Sequence, residues 1–225
     1  MNYKSAFLLL IVYLLLISCS RQSNKQKSEV EAPVSTFQVP ERAALLFDGK
    51  TMDGWEISKF GTEGPVRINE GKLIVNMGDG ASGITWQKDF PKVNYEVQLE
   101  ARKTSGNDFF CGMTFPVNGE YCSLIVGGWG GPVVGLSCID GLDASENETH
   151  ILKRFDKDVW YKIKLEVDDN SIRAWVDEEK LVDFTYTGRK LSTRPEVDLS
   201  KPFGICTWNT TAELRNFWMR ELGSS

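Results

Sequence analysis

The sequence predicts an all-β protein, an antiparallel sandwich or jelly roll, and two observations carry that expectation. Val93, Tyr95, Val97, Leu99 and Ala101 alternate with Asn94, Glu96, Gln98, Glu100 and Arg102, the period-two pattern of a strand with one buried face. Similar short runs recur along the chain between turn-forming residues, and no segment of ten or more residues spaces its apolar side chains by three and four. Crossover helices, and with them a parallel sheet, are therefore not expected.

The strands can be justified in turn. Lys72–Asn76 and Ile84–Gln87 precede the long run over 93–102. Next come Phe109–Phe115 and Tyr121–Gly128, joined at Asn118-Gly119, a dipeptide suited to a two-residue hairpin loop. That loop pairs Val117 with Glu120 and sets Cys111 opposite Val126 rather than Cys122, so buried free thiols are expected instead of a bridge across the hairpin. The four cysteines of this region, Cys111, Cys122, Cys138 and Cys206, show no C-x-x-C spacing. Val133–Ile139 follows, and then a hairpin of Tyr161–Val167 and Ile172–Val176 around Asp168-Asp169-Asn170. Asp177-Glu178-Glu179 leads into Leu181–Tyr186, and Phe203–Trp208 and Leu214–Glu221 bring the set to about a dozen, the number of a sandwich or jelly roll.

The front of the chain is different in kind. Lys4 precedes an apolar run from Ala6 to Ile17, and Leu16-Ile17-Ser18-Cys19 then resembles a bacterial lipobox. The run falls short of the roughly 20 apolar residues that span a bilayer, so residues 1–18 read as a lipoprotein signal peptide cut before Cys19. Acylation of Cys19 would make the protein exported and lipid-anchored to a bacterial membrane, periplasmic or at the cell surface. Residues 19–41, rich in Ser, Gln, Asn, Lys, Glu and Pro, form a tether with little to bury. Residues 42–225 are enough for a single domain with its own core. Net charge is −5, and Lys and Arg are spread evenly, which argues against nucleic acid as a partner.

Leu46-Phe47-Asp48-Gly49-Lys50, followed by Gly54-Trp55, resembles the opening of the 3-keto-disaccharide hydrolase domain family. Further landmarks agree: Asn69-Glu70-Gly71-Lys72-Leu73, the Glu-x-Arg ending of Tyr95–Arg102, Asn107 after a glycine, Asp158-Val159-Trp160-Tyr161, and Leu214-Arg215-Asn216-Phe217. The resemblance covers about residues 44 to 222 and implies a concanavalin-like jelly roll acting outside the cytoplasm on sugars, cleaving glycosidic bonds of 3-keto glycosides. Two segments depart from the pattern. The family's Asn-Ser-Gly-Ile is Asn107-Asp108-Phe109-Phe110 here, and its Gln-containing late strand is Ile205-Cys206-Thr207-Trp208-Asn209.

No Gly-x-Ser-x-Gly elbow, His-Glu-x-x-His motif or phosphate-cradling glycine loop occurs. His150 is the only histidine and sits in the polar stretch Glu146–His150, where a surface role comes first. Glu100 and Arg102 share a strand face, either as a sugar-holding or proton-transferring pair or as an ion pair on a solvated sheet. A 3-keto sugar invites abstraction of the proton beside its ketone, with the enolate oxygen stabilised by a positive group. On that reading Glu100, Asp108 or His150 is the base and Arg102 or a metal ion the stabiliser. Asn107, Trp129 in its glycine loop and Trp208 are the candidate ligand contacts, Trp rings being able to stack on a pyranose. Asp140–Glu146 gathers oxygen ligands without EF-hand spacing and reads as a solvated loop. No metal or cofactor is assigned. The two functions in view are an enzyme of carbohydrate breakdown and a non-catalytic, lectin-like module. They are separated by whether the acids and the tryptophans converge in one concave pocket.

Overall fold

The computed structural model describes residues 37–223; the signal peptide read over 1–18, Cys19 and the tether up to residue 36 lie outside the described residues. Fifteen strands form two antiparallel sheets. In chain order they are β1 (Ala44–Leu45), β2 (Trp55–Ile57), β3 (Val66–Asn69), β4 (Lys72–Val75), β5 (Ala81–Trp86), β6 (Tyr95–Gly106), β7 (Cys111–Val117), β8 (Glu120–Gly128), β9 (Val133–Ser137), β10 (Ile151–Leu152), β11 (Tyr161–Val167), β12 (Ser171–Val176), β13 (Glu179–Thr185), β14 (Gly204–Trp208) and β15 (Thr210–Glu221). A 3₁₀ turn, Pro195–Ser200, precedes β14. One sheet has eight strands in the order β13-β12-β11-β6-β15-β4-β3, with β1 also on β15; the other has seven in the order β10-β9-β8-β7-β14-β5-β2.

The expected alternation builds the eight-stranded sheet. Tyr95, Val97, Leu99 and Ala101 of β6 and Ile163, Leu165 and Val167 of β11 are fully buried against the other sheet. Each of the Val, Leu and Ile side chains among them contributes roughly 1.5–3 kcal/mol on leaving water. β15 has to break its period, since Leu214 and Phe217 both enter the core although they lie an odd three positions apart. A bulge between Arg215 and Trp218, with Asn216 at φ 59°, restores the facing.

The opening Leu-Phe-Asp-Gly-Lys…Gly-Trp motif is architectural. Asp48 accepts the backbone N–H groups of Lys50 (2.8 Å) and Thr51 (2.7 Å), fixing the turn. Trp55 donates its indole N–H to the Leu46 carbonyl at 2.7 Å. Its ring packs edge-on against Trp86, with centroids 5.1 Å apart, and against Phe217 at 6.0 Å.

The Asn118-Gly119 hairpin has the register read from the sequence, with Val117 opposite Glu120 and Cys111 opposite Val126. Both loop residues have positive φ, 46° and 92°. All four described cysteines are buried and free. Most strand boundaries shift by one to four residues from the sequence reading, as at the starts of β13 and β7. Asp177-Glu178 alone makes the turn, so Glu179 already belongs to β13 and pairs with Val176. Phe109 stands outside β7, which begins at Cys111; its ring lies over Gly112, where a Cβ would come within 2.8 Å of Phe109 Cε2.

Candidate functional site

The outer faces of the two sheets are built from different residues. On the eight-stranded sheet long charged side chains face outward and pair across strands. Glu100 accepts from Arg215 Nε at 2.7 Å and from Asn216 Nδ2 at 3.0 Å. Arg102 donates to Glu213 from Nε at 3.0 Å and Nη2 at 2.7 Å. The Arg102 and Arg215 guanidinium groups lie 4.7 and 4.0 Å from the centroid of the Trp160 ring. Glu100 and Arg102 thus each bond β15 rather than one another.

On the seven-stranded sheet the register aligns small residues instead. One row runs Gly83, Cys206, Gly112, Ile125, Gly135 and the next Thr85, Gly204, Thr114, Ser123, Ser137. A floor this low leaves space beneath the surrounding loops. A cavity of about 250 Å³ occupies it, lined by Asp108, Phe109, Ser123, Ile125, Trp129, Ser137, Arg194, Glu196, Val197 and Trp208. The size suits one sugar ring rather than an extended chain, being just under the usual range for a drug-sized ligand.

Three of the side chains singled out in the sequence meet here. Asp108 follows the end of β6; its Oδ1 accepts the Phe109 N–H at 2.7 Å, and Thr210 Oγ1 accepts the Asp108 N–H at 3.0 Å. Trp129 follows β8 at φ 49° between glycines, and is 39% exposed. A bulky residue in that region is strained, and such strain gathers at ligand sites. Trp208 ends β14, its ring 6.5 Å from that of Phe109. Asn107 is exposed beside Asp108; a Cβ at Gly131 would meet its carbonyl at 3.3 Å. His150 is exposed and does not line the cavity, nor do Glu100 and Arg102.

Arg194, Glu196 and Val197 form the remaining wall, and nothing in their local sequence marks them. Arg194 donates to Glu196 Oε1 from Nη2 at 2.9 Å and to Asp143 Oδ2 from Nη1 at 2.7 Å. Asp143 is buried, with its other oxygen held by the Ser145 N–H at 2.9 Å. Its loop is pinned by Asn147, whose side-chain amide donates to the Leu136 carbonyl at 2.7 Å and the Asp143 carbonyl at 2.8 Å. The oxygen-rich 140–146 loop therefore serves to orient an arginine. The bond to Glu196, opposed by partial burial and helped by the Asp143 charge, raises the guanidinium above the ordinary arginine range. The same bond lowers the Glu196 carboxyl. Among the described residues no group of three or more His, Cys, Asp or Glu side chains could hold a metal ion.

A family model, the 3-keto-α-glucoside-1,2-lyase-like domain, matches residues 42–220. The chain belongs to this family. It is the one its opening motif and Glu-x-Arg strand resemble. Comparison with curated protein sequences returns no match. Several solved structures share the fold. A presumptive glycosyl hydrolase from Parabacteroides distasonis aligns at TM-score 0.54 and 14% identity over 83% of this chain and 99% of its own. The carbohydrate-binding module CBM66 from Bacillus subtilis aligns at 0.51 and 14% over 75% and 96%. A Bacillus subtilis protein of galectin-like fold aligns at 0.55 and 11% over 77% and 92%. The family member described here is therefore a two-sheet antiparallel β-sandwich of the galectin and concanavalin type.

Proposed function

We propose that the protein is an exported lipoprotein that binds a 3-keto glycoside in the groove of its seven-stranded sheet and cleaves the glycosidic bond by elimination. One observation carries this reading: Asp108, Trp129 and Trp208, from three separate strand ends, converge on one cavity with Arg194 and Glu196. The tryptophan rings supply faces for a pyranose. Asp108 takes the C2 proton, made acidic by the C3 ketone, and Arg194, three of whose five N–H groups serve Glu196 and Asp143, stabilises the single enolate oxygen that forms at C3 through the two that remain. The electron pair then forms the C1=C2 double bond as the C1–O bond breaks, and the departing aglycone oxygen takes a proton from water. Addition of water across the double bond would complete a net hydrolysis. Glu100, Arg102 and His150 have no part in this scheme, because they lie outside the groove.

A second reading, sugar binding without catalysis, is favoured by the Phe109 N–H bond that occupies one Asp108 oxygen. Incubating the full chain with 3-keto glucosides and their unoxidised parents, while following aglycone release, decides between them. Release confined to the keto substrates supports the lyase; saturable binding with no release from any substrate replaces it with the binding module. The anchor is tested separately by metabolic labelling with palmitate, which Cys19→Ala should abolish.

A further inference from the structure

Granted that the groove holds a sugar, its charges define which sugars. Among the described residues Arg194 is the only cationic side chain lining it, and Glu196 and Asp143 already bond that guanidinium. Asp108, which also lines the groove, adds a third carboxylate. Lys103, whose Nζ approaches Gly131, does not line the groove.

A guanidinium fork fits a carboxylate in a planar, two-bond arrangement. Glu196 makes that arrangement here, donated to by Nε at 3.3 Å and by Nη2 at 2.9 Å. It stands where the carboxylate of an acidic ligand would otherwise bind. An anionic ligand would have to displace Glu196 and then face both it and Asp108 at a solvent-exposed ion pair, where like charges repel to an extent that salt screens. Asp143 is buried and braced by Asn147, so Arg194 keeps its orientation independently of Glu196.

We propose that the groove selects uncharged glycosides and excludes sugars bearing a carboxylate, sulfate or phosphate, with Glu196 imposing the exclusion by occupying Arg194. Position 196 is then a specificity-determining position. A Gln there leaves a pre-oriented guanidinium open to an acidic sugar.

The test is calorimetric titration of the full chain with methyl 3-keto-α-glucoside and methyl 3-keto-α-glucuronide, which differ by one carboxylate. The wild type is expected to prefer the glucoside by about tenfold or more, narrowing at high salt as the repulsion is screened. In Glu196→Gln the glucuronide-to-glucoside affinity ratio should rise by a similar factor. Equal binding of the two sugars by the wild type, or an unchanged ratio in the variant, overturns charge selection and leaves the sugar site standing. Failure of both sugars to bind overturns the sugar site and the selection with it. Should Glu196→Gln not fold, the salt series on the wild type decides, since a preference indifferent to salt contradicts an electrostatic origin.

Discussion

Trp129 combines exposure with a backbone conformation that β-carbon-bearing residues avoid, and the flanking glycines let the chain reach it. Replacing Trp129 with Gly should relieve that strain, leaving thermal stability equal or higher by up to about 1 kcal/mol, while weakening sugar binding at least tenfold. A melting curve and a titration on the same sample would check both. Asp108→Asn keeps shape and the Phe109 N–H acceptor but removes the base. Turnover of a 3-keto glucoside should drop by about 10²–10⁴ with affinity changed only a few-fold; a variant that keeps its turnover would remove Asp108 from the chemistry. Asp108, Trp129 and Trp208 were visible as candidates because each stands out locally. Arg194 and Glu196 were not, because the Asp143 partner of Arg194 is 51 residues away in the chain and only the fold joins them.

Among the elements, the long alternating strands were readable because one face of each is apolar and the other carries long polar side chains. β7, β8 and β9 hid their role. Both of their faces are buried, so the outward Gly, Ser and Thr positions blend with the inward apolar ones and the low floor of a groove looks like ordinary strand. The bulge in β15 was obscured for a related reason, since Leu214 and Phe217, three positions apart, break the period of two by which a strand is recognised. The β7–β8 turn was the clearest local feature, and it offers a clean energetic test. A Cβ at Gly119 would meet nothing within 4 Å, yet φ is 92°. Gly119→Val should therefore destabilise the protein through backbone strain alone, by about 1–2 kcal/mol in a denaturant titration. An unaffected midpoint would mean that the turn relaxes to another type.

For the molecule as a whole, titration sets the limits of stability. Backbone and arginine bonds lower Asp140 below 3.8, and Arg189 and Arg194 lower Glu148 and Glu196 below 4.5. Depressed carboxyls contribute stability above their unfolded values and lose it as pH falls through the folded ones, so the melting temperature should decline below about pH 4.5. At the other end, burial pushes the Cys122 and Cys206 thiols up to about 12 from 9.0. The unfolded chain ionises first, so stability should fall again as pH rises from about 9 toward 12. A thiol reagent at neutral pH should label Cys111, Cys122, Cys138 and Cys206 only as fast as the domain unfolds; rapid labelling of the native protein would contradict their burial. The pairing of the domain's first strand with its last has its own consequence. Ala44 of β1 lies opposite Met219 of β15, so the folded path is nearly a closed ring. A short linker joining these ends, with the chain reopened between Asn118 and Gly119, would yield a circular permutant whose sheets and groove are unchanged.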